Sequence, residues 1–341
     1  MAVKFTKPEI NVREKLAELD KPSGIAGEAM LRAETPQEQF NLIGVGRRNL
    51  IINGNFLVSQ RGDFTSSQVM ATANFEYNVD RWRVYAFNSA VASFQHFLDQ
   101  KLPDGSYANT LRLTSGTTDL KAPLVQHVEN HKVAWGRDFT LSFWYKSTSD
   151  NMYNFWNGTT QTHFLLPNTQ GTWVKYEKTY KFPENGAQLR IEFYSHTAIF
   201  PSGAYLELAN IQLELGNVAT PFEHRSYGEE LALCQRYFVR FNGNTEHVGH
   251  NYNGSSIDIN VALPVYMYST PTLFCKDIQN NANRASVYSN GYNHNISTVI
   301  NAHRSRGNQT MIRTTGSLSP AGATNDCVQV QFNDLQFQAE I

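Results

Sequence analysis

Through most of the chain, large apolar residues fall at every second position in short runs. In DFTLSFWYKS, Phe139, Leu141, Phe143 and Tyr145 share one parity. Successive side chains of a strand point to opposite faces, so this spacing predicts a half-buried strand. AQLRIEFYS repeats it, with Leu189, Ile191 and Phe193 inward and Arg190, Glu192 and Tyr194 outward. SYANTLRLTS carries Leu111 and Leu113, and TWVKYEKTYKF carries Val174, Tyr176, Tyr180 and Phe182. DRWRVYAF and VASFQHFL read as further strands, and LIINGNFLVSQRG starts the run with a turn at Asn53-Gly54. The last strand of the run, YLELANIQLELG, begins with Leu206 and Leu208 on one face. It continues with Ile211, Leu213 and Leu215 in the other parity. That slip at Ala209-Asn210 predicts a β-bulge. Short alternating strands between turn-rich loops imply an antiparallel sandwich of jelly-roll type.

The pattern changes after Thr220-Pro221, where proline forces an extended turn. Ser226 followed by Glu229 is a capping box, and Leu231, Leu233 and Cys234 give a short helix an apolar side. Strands resume with RYFVRF. In SIDINVALP, Ile257, Ile259, Val261 and Leu263 face one way and Ser256, Asp258 and Asn260 the other. The sheet restarts after Thr270-Pro271, weaker strands follow at ASVYSN and ISTVINAH, and CVQVQF and LQFQAEI end the chain with a parity change near Asn333-Asp334. No 20–50-residue repeat is present, which argues against a solenoid or propeller. Residues 1–46 differ again: three short capped helices carry Ile10, Leu16, Leu19, Phe40 and Leu42, too little apolar surface for a core of their own. They suit a segment that folds against a partner.

The fold class expected is therefore mainly β: a helical arm (1–46), a jelly-roll sandwich (47–224) and a C-terminal β-sandwich tip domain (225–341). With 29 Lys and Arg against 30 Asp and Glu, the net charge of -1 leaves no electrostatic footprint for nucleic acid or an anionic membrane. No run approaches the roughly 18 apolar residues of a membrane span, and MAVKFTKPEIN lacks a signal-peptide core. Synthesis in a cytoplasm is expected. Cys234, Cys275 and Cys327 form no CxxC pair and read as small apolar residues.

Catalytic signatures are missing from the sequence: GxSxG, a P-loop and HExxH do not occur. Asp63, Glu76, Asp80, Asp99, Asp104 and Glu192 are scattered and read as solvated surface charge rather than the carboxyl pair of a glycoside hydrolase. Glu246, His247 and His250 in EHVGH, with His294 and His303 downstream, lack the further ligand that would complete a metal set and read as surface loop histidines. No cofactor and no enzymatic activity are expected. Trp82, Trp144 and Trp173 sit inside strand patterns and read as packing residues. Trp135 precedes a glycine in a turn and is a ligand-binding candidate with the cluster that follows. Tyr153, Phe155 and Trp156 read as an aromatic cluster on an Asn-rich loop, where rings could stack on sugar C–H faces while amides bind hydroxyls. The same rings folded back on the core are the alternative.

Five motifs in order, NLIINGNF, DRW, FTLSFWYKS, GTWVKYEKTYKFP and YLELANIQLELGNVATPF, resemble carbohydrate-binding modules of the galactose-binding-like jelly-roll class over about half the chain. The resemblance implies a structural calcium between opening and closing strands, held by two acidic residues of the last strand. Those positions read Ala209-Asn210 here, so no metal is expected. The arm and the GEELALCQRYF junction resemble bacteriophage tail-fibre and related virion proteins from phages of marine bacteria, cyanophages included. That resemblance implies a virion protein that docks on other phage proteins by its arm, assembles as a homotrimer and adheres to host-surface glycan. The edges left by weak strands such as ASVYSN and LQFQAEI need covering, which puts Ile296, Val299, Ile300, Phe337 and Ile341 nearest the oligomer interface; a monomeric sandwich with these residues in its own core is the alternative. A purely structural fibre or decoration protein is the alternative, and a depolymerising tailspike enzyme a third reading.

Overall fold

The computed structural model describes residues 48–340, apart from 71–74, 86–91, 117–123, 130, 196–200, 252–255, 290–291, 298–300, 307–308 and 316–326. The arm residues Ile10, Leu16, Leu19, Phe40 and Leu42, and the interface candidates Val299, Ile300 and Ile341, lie outside the described residues.

Twelve strands come first: β1 (Gln68–Met70), β2 (Phe75–Tyr77), β3 (Arg83–Tyr85), β4 (Ala92–Lys101), β5 (Tyr107–Ser115), β6 (Leu124–His127), β7 (Asp138–Ser147), β8 (Asn151–Trp156), β9 (Gln161–Leu166), β10 (Val174–Lys181), β11 (Arg190–Ser195) and β12 (Tyr205–Leu215). They form two six-stranded antiparallel sheets, β1-β4-β5-β12-β7-β10 and β2-β3-β6-β11-β8-β9. Phe139, Leu141 and Phe143 of the first sheet and Ile191, Phe193 and Tyr153 of the second are buried together in one core, with Trp82 at 0 % exposure. Removing each such side chain from water contributes about 1.5–3 kcal/mol. This is the jelly-roll sandwich that the alternation implies.

The bulge is where the phase slip puts it. The β12–β7 register shifts between Ala209 and Gln212, and Asn210 takes a φ of 49°. Both halves of β12 thereby keep their apolar side inward. The opening segment departs from expectation: residues 50–64 are bends and turns rather than a strand. Its backbone is tied down by side chains instead. The Asn49 amide donates to Ile211 O (3.0 Å) and accepts from Leu213 N (3.0 Å) and Ile51 N (2.9 Å). Asn53, also left-handed, donates to Val58 O and Asp80 O, and Trp82 Nε1 donates to Asn53 O (2.8 Å). Gly54 is required there, because a Cβ would stand 2.1 Å from Ile211 O.

Helix α1 (Tyr227–Gln235) follows, with the Ser226–Glu229 capping box formed. Then come β13 (Phe238–Asn251), β14 (Ser256–Ala262), β15 (Thr272–Lys276), β16 (Arg284–Ser289), β17 (Tyr292–Ser297), β18 (Asn301–Arg306), β19 (Gln309–Thr315) and β20 (Cys327–Gln338). They make one eight-stranded sheet, ordered β17-β16-β20-β13-β14-β19-β18, with β15 also on β20. Ile257, Ile259, Val261 and Leu263 are buried as their parity requires. In β20 the inward series Val328, Val330, Phe332 passes to Leu335, Phe337, the expected parity change. Three sequence expectations are corrected here, at Phe337, EHVGH and Asp80, and Ile296 is placed in the sheet. Phe337 is fully buried in the chain's own core against Phe241, so it is not a surface residue of an oligomer interface. Ile296 lies on β17, paired with Ala285. EHVGH is part of β13 and not a loop: His247 and His250, three apart on a strand, take opposite faces and cannot share an ion. Asp80 is buried rather than solvated.

The sandwich and the third sheet are joined by a buried junction. Ile52 and Val58 pack on Cys234 and Tyr237. Glu340, near the chain end, pairs with Arg81 and with Arg61 (3.0 Å), at 2 % side-chain exposure for Glu340 and 1 % for Arg81. Arg81 stacks 3.5 Å from the Tyr237 ring centroid and Arg61 3.6 Å from that of Phe238. Arg225 donates to Asn49 O (2.6 Å), and Arg236 pairs with Glu129 (2.6 Å).

Candidate saccharide-binding face

Because Leu189, Ile191 and Phe193 enter the core, Arg190, Glu192 and Tyr194 stand on the outer face of β11. Register then fixes their neighbours. One row runs His127, Arg190, Trp156, Gln161 across β6, β11, β8 and β9. The next runs Arg83, Val125, Glu192, Asn154, His163 from β3 to β9. A third holds Tyr194, Met152 and Leu165. Five strands about 4.8 Å apart make this face roughly 19 Å wide.

The side chains on it are mutually engaged yet incompletely satisfied. Arg190 pairs with Glu192 at 2.5 Å and lies 5.5 Å from the Trp156 ring centroid. Asn154 donates to Glu192 (2.8 Å), and His163 Nδ1 bonds the Tyr194 hydroxyl (2.6 Å). Asn154 is 1 % exposed and Glu192 7 %, although both point away from the core. Neighbouring side chains on the same face enclose them. Glu192 is thus not the solvated charge expected. Asn154 Oδ1 and Arg190 Nε are buried without a partner. Buried polar groups are nearly always paired, so an unmatched acceptor and donor in adjacent rows ask for a ligand that supplies both. Burial, then the nearby Arg83, Arg190 and Arg81 guanidiniums, push His127 down to about 3, so its ring is neutral at physiological pH.

The outer face of the other sheet differs. Glu207, fully buried, accepts from Arg112 (2.6 Å), Lys146 (3.3 Å) and the Thr110 hydroxyl (2.6 Å). Arg112 is stacked near Phe97 and Tyr205 (4.6 and 4.3 Å), and Lys146 near Trp173 (4.6 Å). Trp144 and Trp173 pack on Leu102, Ala108 and Ala209, the sheet-face role expected. That network is closed on itself and offers a ligand little.

The aromatic candidates are divided by this geometry. NMYNFW is β8, not a loop. Tyr153 and Phe155 face inward at 0 % and 3 % exposure, with Tyr153 stacked on Phe164 at 4.9 Å. Both are core residues: Tyr153 meets Phe143 across the sandwich and Phe193 beside it in the same sheet, and Phe155 meets Phe139. Trp156 alone of that cluster reaches the outer face. Trp135 lies apart in the turn after the 3-10 segment His131–Ala134, half-buried beside His131 and Lys132. Arg190, Glu192 and Tyr194 were legible as outward; Asn154, His163, His127 and Arg83 were missed, although the alternation in NMYNFW was available.

The position where jelly rolls of this class hold calcium does not fit that ion here. The opening and closing segments are tied by the Asn49 amide, the Ala209 side chain is buried among apolar neighbours, and Asn210 offers one neutral amide oxygen. Calcium wants six to eight oxygens, several charged. Among the described residues no three His, Cys, Asp or Glu side chains group as metal ligands.

No protein-family model matches the chain, and no curated protein matches it by sequence. Solved structures of similar outline include the enzymatically active domain of bacteriophage CBA120 tailspike protein 4, at 16% identity and TM-score 0.33 over 49% of this chain. The chain spans about a fifth of that protein's length, 21%. A family 4 carbohydrate-binding module is similar at 15% identity and TM-score 0.29, over 48% of this chain and 98% of the module. TmCBM61, solved with β-1,4-galactotriose, is similar at 14% identity and TM-score 0.27, over 50% of this chain and 100% of that one.

Proposed function

We propose that the outer face of the β3-β6-β11-β8-β9 sheet binds host-surface saccharide, and that the chain is a bacteriophage virion protein of the tail-fibre type. The observation that supports binding is the enclosed polar row itself. Asn154 Oδ1 and Arg190 Nε are buried and unmatched beside the half-buried Trp156. A few fixed polar groups beside an aromatic surface are what a sugar ring needs, hydroxyls on one side and C–H groups on the other. The reading involves no chemical step. In it, residues 1–46 dock on other virion proteins, copies assemble as trimers on the particle, and weak sites add through effective concentration. The protein would be made in the host cytoplasm and act on the virion.

A glycan array probed with the full chain and with Trp156→Ala tests this. The expected result is a set of glycans held by the parent and lost by the variant at unchanged melting temperature. The junction favours a second reading, a rigid structural fibre with no receptor site: Arg81, Glu340, Arg61 and Tyr237 lock the sandwich to the third sheet. Failure to bind any glycan would select it. Release of reducing sugar from host envelope would instead bring back the depolymerase reading.

A further inference from the structure

We infer that the saccharide taken by this face is anionic, its acidic group held at the corner made by Arg83, His127 and Arg190. The inference rests on the saccharide-binding reading above and adds the class of ligand. Arg83, His127 and Arg190 stand on three neighbouring strands and on one face. Arg190 lies directly across from His127, and Arg83 across from Val125, two residues before it. Arg81 donates to His127 O (2.8 Å).

Among the described residues near this corner, the carboxylates of Glu192, Glu340, Glu129 and Asp80 are engaged. Glu192 is held by Arg190 (2.5 Å) and Asn154 (2.8 Å). Glu340 is held by Arg61 and Arg81, and Glu129 by Arg236. Asp80 accepts from Gln60. The charges acting on the His127 ring are all positive, from Arg83, Arg190 and Arg81. The neutral ring is already hydrogen-bonded to the Gln188 side chain, so His127 lines the corner while the guanidiniums around it supply the charge. Arg190 keeps its buried Nε unmatched after pairing with Glu192. A carboxylate or sulfate oxygen would accept from that Nε beside the Arg83 guanidinium, a charge-assisted contact of the stronger kind. The remainder of the sugar would lie toward Trp156 and Tyr194, where Asn154 Oδ1 awaits a hydroxyl. The aromatic and cationic halves of the face are thus adjacent, the arrangement one ring with an acidic substituent requires.

The test uses the full chain and calorimetric titration with tetragalacturonate, its fully methyl-esterified form and a sulfated galactan tetrasaccharide. The ester keeps the ring backbone and removes the charge, and the two acidic probes separate carboxylate from sulfate. The expected result is that at least one acidic probe binds about tenfold or more tighter than the ester, as loss of a charge-assisted bond implies. The preference should shrink in about 0.5 M salt and vanish in Arg83→Gln and in Arg190→Gln, each checked for an unchanged melting temperature. Ring titration of His127 followed by NMR should move upward when the acidic probe is bound, which a structural role would not produce. Equal affinity for acid and ester, or binding confined to neutral glycans, overturns the anionic inference and leaves the saccharide reading standing. Binding of no glycan at all removes both.

Discussion

Glu340→Gln should destabilise the protein by about 3 kcal/mol, although it lies next to the chain end and keeps the side chain's volume. Breaking a buried ion pair by removing one partner costs about 3–5 kcal/mol, because the other charge stays buried without compensation. Glu340 faces two cations, Arg81 at 1 % side-chain exposure and Arg61 at 11 %. Arg61 can turn toward water and recover part of its loss. Arg81 cannot: its guanidinium is sandwiched on Tyr237 at 3.5 Å and bonded to His127 O at 2.8 Å. Glutamine still accepts one hydrogen bond, so the lower end of the range applies. A chain of this size loses about 3 °C per kcal/mol, a fall of about 10 °C. Differential scanning calorimetry at pH 7 measures it, with Arg61→Ala as the milder comparison. The variant should also separate the unfolding of the sandwich from that of the third sheet, since the pair joins them. A fall of less than about 3 °C, the scale of an exposed ion pair, would refute the claim that this junction is buried and coupled.

Two groups make opposite pH contributions. Burial raises Asp80 from 3.8 to about 6, against Arg61 and the Gln60 hydrogen bonds, so its native form binds a proton that the unfolded chain releases, and its contribution to stability falls as pH rises from about 4 to 6. His127, held down to about 3, is neutral where the unfolded chain is protonated, so its contribution rises with pH between about 3 and 6.5; Asp80→Asn should tilt the melting-temperature profile upward with pH relative to the parent and His127→Gln downward, and parallel profiles would refute the assignment. Chelator should shift the melting temperature by less than about 1 °C, since the Ala209-Asn210 position offers no charged oxygens; a large fall would reinstate calcium. Deleting residues 1–44 should leave both β units folded by circular dichroism and remove the protein from purified particles, and full occupancy of the truncated chain would show that the arm is not the anchor. Light scattering on the full chain should give a trimer, whereas Phe337→Ala should cost about 3–5 kcal/mol through a core cavity without changing the assembled mass per folded chain; a change in mass would return Phe337 to the interface.

What was legible in the sequence is what one strand or one cap decides alone. The faces of β7, β11 and β14 follow from period two, and the bulge at Asn210 from a slip in that period. The α1 cap follows from Ser226 and Glu229. β8 was missed for a local reason: its outward Asn154 and the Asn residues around it look like loop composition, and they outweighed the Tyr153–Phe155 alternation. The face itself was out of reach for a different reason. Arg190 and Trp156 are neighbours only because β8 lies beside β11, and His127 joins them only because β6 lies on the other side. Register between distant strands is set by the whole sandwich, so a single sequence shows which residues point outward without showing which of them meet. The burial of Asp80 and Arg81 depends on something more remote still. Arg81 meets Glu340 across 259 residues, and nothing near DRW announces that the chain end returns to cover it. A charge read locally as solvated becomes a buried one through that return. The same Arg81 donates to His127 O, so Glu340, beyond the last strand of the third sheet, bears through Arg81 on the strand that carries His127 into the candidate face.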